Sequence, residues 1–152
     1  MKIEKLKMEL GAPEHGWLPV KLTFGDFDLQ FEASDVPANP IDQLITSLRN
    51  VIKGINTEVW WHLEPEGYYF EFERISDKYR FKISFEDSDN TQRKKLFELD
   101  GDFKSVILPI YRAIVKFIAQ PHNPYNWPQT NKLEAEELVG LVKEIKTTQN
   151  NV

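Results

Sequence analysis

Positions 57–86 alternate between apolar and polar side chains. Val59, Trp61 and Leu63 are separated by Glu58, Trp60, His62 and Glu64; Phe70 and Phe72 by Tyr69, Glu71 and Glu73; Tyr79, Phe81, Ile83 and Phe85 by Arg80, Lys82, Ser84 and Glu86. Successive strand residues point to opposite faces, so this period predicts three half-buried antiparallel strands. Turns are expected at Glu66-Gly67, where glycine supplies a positive φ at no steric cost, and at Ser76-Asp77. The second turn sets Phe72 opposite Phe81, Glu73 opposite Arg80 and Glu71 opposite Lys82. The first sets Leu63 opposite Phe70 and Trp61 opposite Phe72, with His62 beside Glu71 and Trp60 beside Glu73. One face is then aromatic and the other a lattice of Trp60, His62, Glu64, Tyr69, Glu71, Glu73, Arg80 and Lys82.

The rest of the chain reads as packing for this unit. Residues 3–10 predict an edge strand whose lysines discourage pairing with another molecule. Residues 17–24 and 27–33, joined at Gly25-Asp26, predict a hairpin with Val20, Leu22 and Phe24 facing Phe31, Leu29 and Phe27. Asn39-Pro40 opens a helix whose stripe is Ile41, Leu44, Ile45, Leu48, Val51 and Ile52, with Asp42, Gln43, Thr46 and Arg49 turned to water and Gly54 ending it. A short strand is expected over 95–99. Residues 102–119 read as a nearly all-apolar helix, which Pro109 either starts late or kinks; the alternative makes 103–108 a strand. Three prolines exclude regular structure over 120–128, whose Tyr125 and Trp127 are expected to anchor the loop. Asn131 with Glu134 resembles a capping box for a last helix faced by Leu138, Leu141, Val142 and Ile145. The expectation is an α+β fold with an antiparallel sheet of about seven strands in the order βββ-α-ββββ-α-α and helices packed on one face. It is one domain over 1–145, with a frayed tail over 146–152.

Charge and composition narrow the function. The 152 residues carry 19 Lys plus Arg against 24 Asp plus Glu, a net charge of −5, which disfavours a nucleic-acid binder relying on phosphate contacts. There is no cysteine and only His15, His62 and His122, so neither a metal site nor a cofactor is expected. No run approaches the roughly 18 apolar residues of a membrane span and no signal-like segment opens the chain, so the expectation is a cytoplasmic protein without a membrane partner. A phosphate loop, a nucleophile elbow, a His-Glu-x-x-His pair and a calcium loop are all missing, and no enzyme is expected.

Two readings of the polar face stay open. His62 with Glu71 forms either a surface pair or an acid-base site of an uncharacterised enzyme. Trp60 is either covered by a second layer or exposed as a binding anchor. The aromatic face offers a third possibility, a small-ligand pocket. The opening Ser34-Asp35-Val36-Pro37-Ala38-Asn39-Pro40-Ile41-Asp42-Gln43-Leu44, the hairpin Leu63-Glu64-Pro65-Glu66-Gly67-Tyr68 and the later Pro109-Ile110-Tyr111-Arg112-Ala113-Ile114 resemble the small acidic immunity proteins of bacterial polymorphic and contact-dependent growth-inhibition toxin systems. That resemblance implies a protein that binds and blocks one cognate protein toxin, without chemistry of its own. Candidate partner-binding residues are Trp60, His62, Glu64, Tyr69, Glu71, Glu73, Asp87, Asp89, Tyr125 and Trp127, since acidic patches complement basic clefts and aromatic residues anchor interfaces.

Overall fold

In the computed structural model, which describes residues 4–88 and 92–150, the apolar alternation is realised as seven strands and three α-helices in the expected α+β order. Ile3 and Asp89 lie outside the described residues. The strands divide between two antiparallel sheets. Sheet A orders β1 (Lys7–Leu10), β2 (Trp17–Phe24) and β3 (Phe27–Ser34); sheet B orders β4 (Thr57–His62), β5 (Gly67–Ile75), β6 (Lys78–Glu86) and β7 (Lys94–Gly101). β7 is longer than the expected 95–99 and takes in Asp100-Gly101.

The β2–β3 hairpin has the predicted register, with Val20, Leu22 and Phe24 opposite Phe31, Leu29 and Phe27. Its apolar face closes on sheet B through aromatic contacts. Phe31 meets Trp61 and Phe70 edge-on and stacks on Tyr68 at 4.6 Å, while Phe27 stacks on Phe97 at 4.7 Å. Phe70, Phe72 and Phe81 are at most 1% exposed. The aromatic face is therefore filled with protein side chains, and the ligand-pocket reading of it falls.

The β5–β6 hairpin turns at Ser76-Asp77 with the expected pairs Phe72 to Phe81, Glu73 to Arg80 and Glu71 to Lys82. The β4–β5 hairpin differs. Trp61 faces Tyr68 instead of Phe72, a slip of four residues from the expected register. The turn is the four-residue loop 63–66, closed by the Leu63 amide donating to the Glu66 carbonyl, and Gly67 is the first residue of β5. Pro65, having no amide to donate, belongs outside the ladder. Because the slip is even, every side chain keeps its face, and the apolar pattern alone does not distinguish the two registers.

Helix α1 (Pro40–Ile52) begins as its cap predicts: the Asn39 side chain accepts from the Ile41 amide, proline sits in the first turn, and the whole predicted apolar stripe is buried. It packs on β4 and β5. Its opposite face is not left to water, because α3 (Lys132–Asn150) covers part of it. Thr46 donates to Glu134 at 2.9 Å, Arg49 bridges Glu134 and Glu137, and the Asn131 amide donates to Asp42. Burial against α3 raises the Asp42 carboxyl above its ordinary value. The Asn131 side chain caps α3 at the Glu134 amide as expected, and the helix runs to Asn150.

Residues Phe103–Ile107 form neither the expected α-helix nor a strand. They make one π-helical turn, capped by Asp102 on the Ser105 amide, and α2 (Leu108–Ile118) follows with Pro109 in its first turn. The wider turn admits a proline whose missing N–H costs nothing at a helix start. Trp127 is 1% exposed and anchors its loop, whereas Tyr125 is 89% exposed and anchors nothing, a correction to its expected role. That loop is tied to the turn before β2: the Gly16 amide donates to the Asn126 carbonyl and the His15 amide to the Asn126 side chain.

Candidate partner-binding face

The side of sheet B away from the core carries the residues that alternation turned outward. Trp60 on β4 lies directly opposite Tyr69 on β5, their rings nearly parallel at 6.5 Å, and the His62 ring packs 4.6 Å from the indole. Arg93, just before β7, lays its guanidinium 3.5 Å over the Tyr69 ring. The result is one row, His62, Trp60, Tyr69 and Arg93, running across the sheet.

Gly67 explains how the indole lies so low. A Cβ built there would sit 2.6 Å from the Trp60 Nε1, so glycine is needed for close approach and not for a turn. This role was invisible in the sequence, where a glycine after Pro65-Glu66 reads most naturally as turn chemistry.

The four-residue slip also rewrites the charges. Glu71 faces Glu58 across the strands, not His62. Two carboxylates directly opposite repel. Arg93 resolves this: it donates to both Glu58 oxygens at 2.7 and 3.2 Å, and approaches Glu71 at 4.0 Å and Glu86 at 3.8 Å. The hydrogen bonds to Glu58 hold the guanidinium pKa above its ordinary value. Burial, aided by the Glu86 charge, raises the Tyr69 phenol. Arg93 lies outside the stretch whose alternation defines this face; the signal that finds it is the uncompensated Glu58 and Glu71 pair, legible only once the register is known.

Elsewhere the register is as expected but the ion pairs are re-sorted. Arg80 turns from Glu73 to a bidentate pair with Asp100 at 2.8 and 3.0 Å, and Lys82 takes Glu73 at 3.3 Å. The Arg80 hydrogen bond lowers the Asp100 carboxyl below its ordinary value.

His62 does not form an acid-base pair. It lies opposite Gly67, and its Nδ1 donates to the Val36 carbonyl at 2.8 Å. Among the described residues no hydrogen bond or ion pair joins it to a carboxylate. Of the candidate residues, the structure brings together Trp60, His62, Tyr69, Glu71 and Glu73. Glu64 is exposed at the tip of the 63–66 loop and Asp87 is exposed at the end of β6. Tyr125 makes no ring contact with Trp60 or Tyr69, Trp127 is too buried to meet a partner, and Asp89 lies outside the described residues.

Neither a family model nor a curated protein matches the sequence. Among solved structures, a chain of a CdiA-CT/CdiI toxin and immunity complex from Enterobacter cloacae is similar at 12% identity and a TM-score of 0.41, covering 76% of this chain and 99% of that one. The likeness is loose and leaves function to be argued from this chain's own surface. Among the described residues no helix is long and apolar enough to cross a membrane, and no group of three or more potential metal ligands gathers.

Proposed function

We propose that this chain is a protein-binding inhibitor of the immunity type, which neutralises a cognate bacterial toxin by docking the outer face of sheet B and has no catalysis of its own. The observation that carries this reading is the row of His62, Trp60, Tyr69 and Arg93 set among Glu58, Glu71, Glu73 and Glu86 on hydrogen-bonded strands. Half-buried aromatic rings held in one geometry lose little entropy on docking, and the surrounding carboxylates favour a basic partner surface. The resemblance of three sequence stretches to immunity proteins supports the same reading.

The test is to read the neighbouring genes for a large secreted protein with a variable C-terminal domain and to titrate that domain against this chain, paired with growth protection on co-expression. The expected result is stoichiometric binding that Trp60→Ala weakens by about 2 kcal/mol. Charge reversal at Glu71 and Glu73 should slow association and reduce its salt dependence. Normal binding by all three variants would move the interface off this face. Growth protection without complex formation would defeat the inhibitor reading itself.

A further inference from the structure

Helices α2 and α3 both pack on α1, and between them lies a groove of about 500 Å³. Its walls are Val115, Ile118 and Ala119 of α2 and Ala135 and Val139 of α3. The core does not require this composition on the α2 side. Ile110, Tyr111, Ala113, Ile114 and Phe117 already make the buried stripe of that helix. Val115 and Ile118 stand beyond the stripe, 41% and 40% exposed, on one side of the helix at i and i+3. Both are β-branched and so weaken the helix slightly by propensity. Contiguous apolar surface of this kind marks a contact with another molecule.

Charge at the rim says which molecule. Lys132 and Glu136 border the groove one helical turn apart on α3, and both are exposed. Among the described residues neither belongs to an ion pair, whereas the neighbouring Glu134 and Glu137 are held by Arg49. The rim is thus neutral but polarised. A partner surface of one sign gains at one rim residue what it loses at the other, so the groove is unlike the acidic outer face of sheet B, which favours a basic partner. A second copy of the same patch, turned about a two-fold axis, presents the two charges in reverse order and gains at both.

We propose that this groove is a homodimer interface, in which a two-fold-related copy lays its α2 and α3 on these and closes a four-helix contact. An antiparallel crossing of the two α3 helices centred between Lys132 and Glu136 forms both intermolecular Lys132–Glu136 pairs at once, since the two residues lie about 6 Å apart along the axis. The walls carrying Val115, Ile118 and Val139 then cover each other and leave water. None of these residues belongs to the outer face of sheet B, so the inference stands apart from the inhibitor reading.

The test is sedimentation equilibrium of the purified chain from micromolar to near-millimolar concentration. The expected result is a mass that rises with concentration from the 17.8 kDa monomer to twice that value. Val115→Glu combined with Ile118→Glu, both at partly exposed positions, should weaken association at least about tenfold. Lys132→Glu and Glu136→Lys should each weaken it by about tenfold, because each sets like charges together at two places. The double variant carrying both changes should dimerise like the parent, since the pairs re-form with their signs exchanged. Circular dichroism checks that every variant keeps its helices, and Trp60→Ala should leave the dimer unchanged. A parent that stays monomeric at every concentration overturns the proposal and gives the groove to a different partner. A dimer indifferent to the Val115 and Ile118 changes overturns it too, by placing the interface elsewhere. Failure of the folded double charge variant to recover overturns the two-fold pairing.

Discussion

Gly67→Ala isolates the feature on which the outer face depends, the indole of Trp60 lying against a strand with no side chain. Gly67 does not use a left-handed φ, so alanine is conformationally permitted there and by itself should stabilise the fold by about 0.4 to 1 kcal/mol through the unfolded chain. Against this, the new methyl would sit 2.6 Å from Nε1 and 3.2 Å from Cδ1 of Trp60, and 3.2 Å from the Trp61 carbonyl oxygen. The indole cannot swing freely, since His62 packs 4.6 Å to one side of it and Tyr69 lies opposite. Overpacking of this kind costs about 1 to 3 kcal/mol, so the substitution should be net destabilising by about 1 kcal/mol. In a Trp60→Ala background two of the three close approaches disappear, and only the milder contact with the Trp61 carbonyl remains. There Gly67→Ala should cost close to nothing. Urea melts of the four proteins give the coupling energy directly, expected at about 1 to 2 kcal/mol. A Gly67→Ala cost that is the same in both backgrounds would refute the claim that the indole, and not the backbone, demands glycine.

Three further outcomes test the packing and charges. Phe81→Ala should destabilise by about 3 to 5 kcal/mol because it empties a fully buried site, whereas Glu73→Ala should cost under about 1 kcal/mol as a partly exposed pair does; melts in the reverse order would invert the faces of sheet B. Arg93→Ala should leave Glu58 and Glu71 facing each other uncompensated, lowering stability by up to about 1 kcal/mol at low salt and by less at high salt, where repulsion is screened; a salt-independent loss would mean that stacking on Tyr69 is what matters. The Asp102 carboxyl is held below its ordinary value by its hydrogen bonds to Ser105, so its contribution is present above the unfolded carboxylate pKa and lost as pH falls through the lower folded one. Asp102→Asn should accordingly reduce the melting temperature at pH 7 and converge with the parent in strongly acidic buffer, as thermal melts across that range would show.

Much of this protein is written in its local pattern. Alternation over 57–86 determined which side chains of sheet B enter the core, the Gly25-Asp26 and Ser76-Asp77 turns determined two hairpin registers, and Asn39-Pro40 and Asn131 with Glu134 determined where two helices start. These features depend on neighbours a few residues apart, whose sterics and hydrogen bonds are the same in any fold. What tertiary structure decided are the choices to which local pattern is indifferent. A slip of four residues in the β4–β5 hairpin preserves both faces, and packing of Trp60 over Gly67 selects it. That slip brings Glu58 against Glu71 and so creates the place that Arg93 fills from 22 residues beyond Glu71 in the chain. The division of seven strands into two sheets depends on Phe27 and Phe31 reaching Phe97, Tyr68 and Trp61, contacts between residues that share no turn. Likewise, the lysines over 3–10 announce an edge strand, but that α2 is what packs against it is decided by the packing of the whole molecule. Hydrophobic period assigns a face; which distant element meets that face is set by how all the apolar surfaces are buried at once.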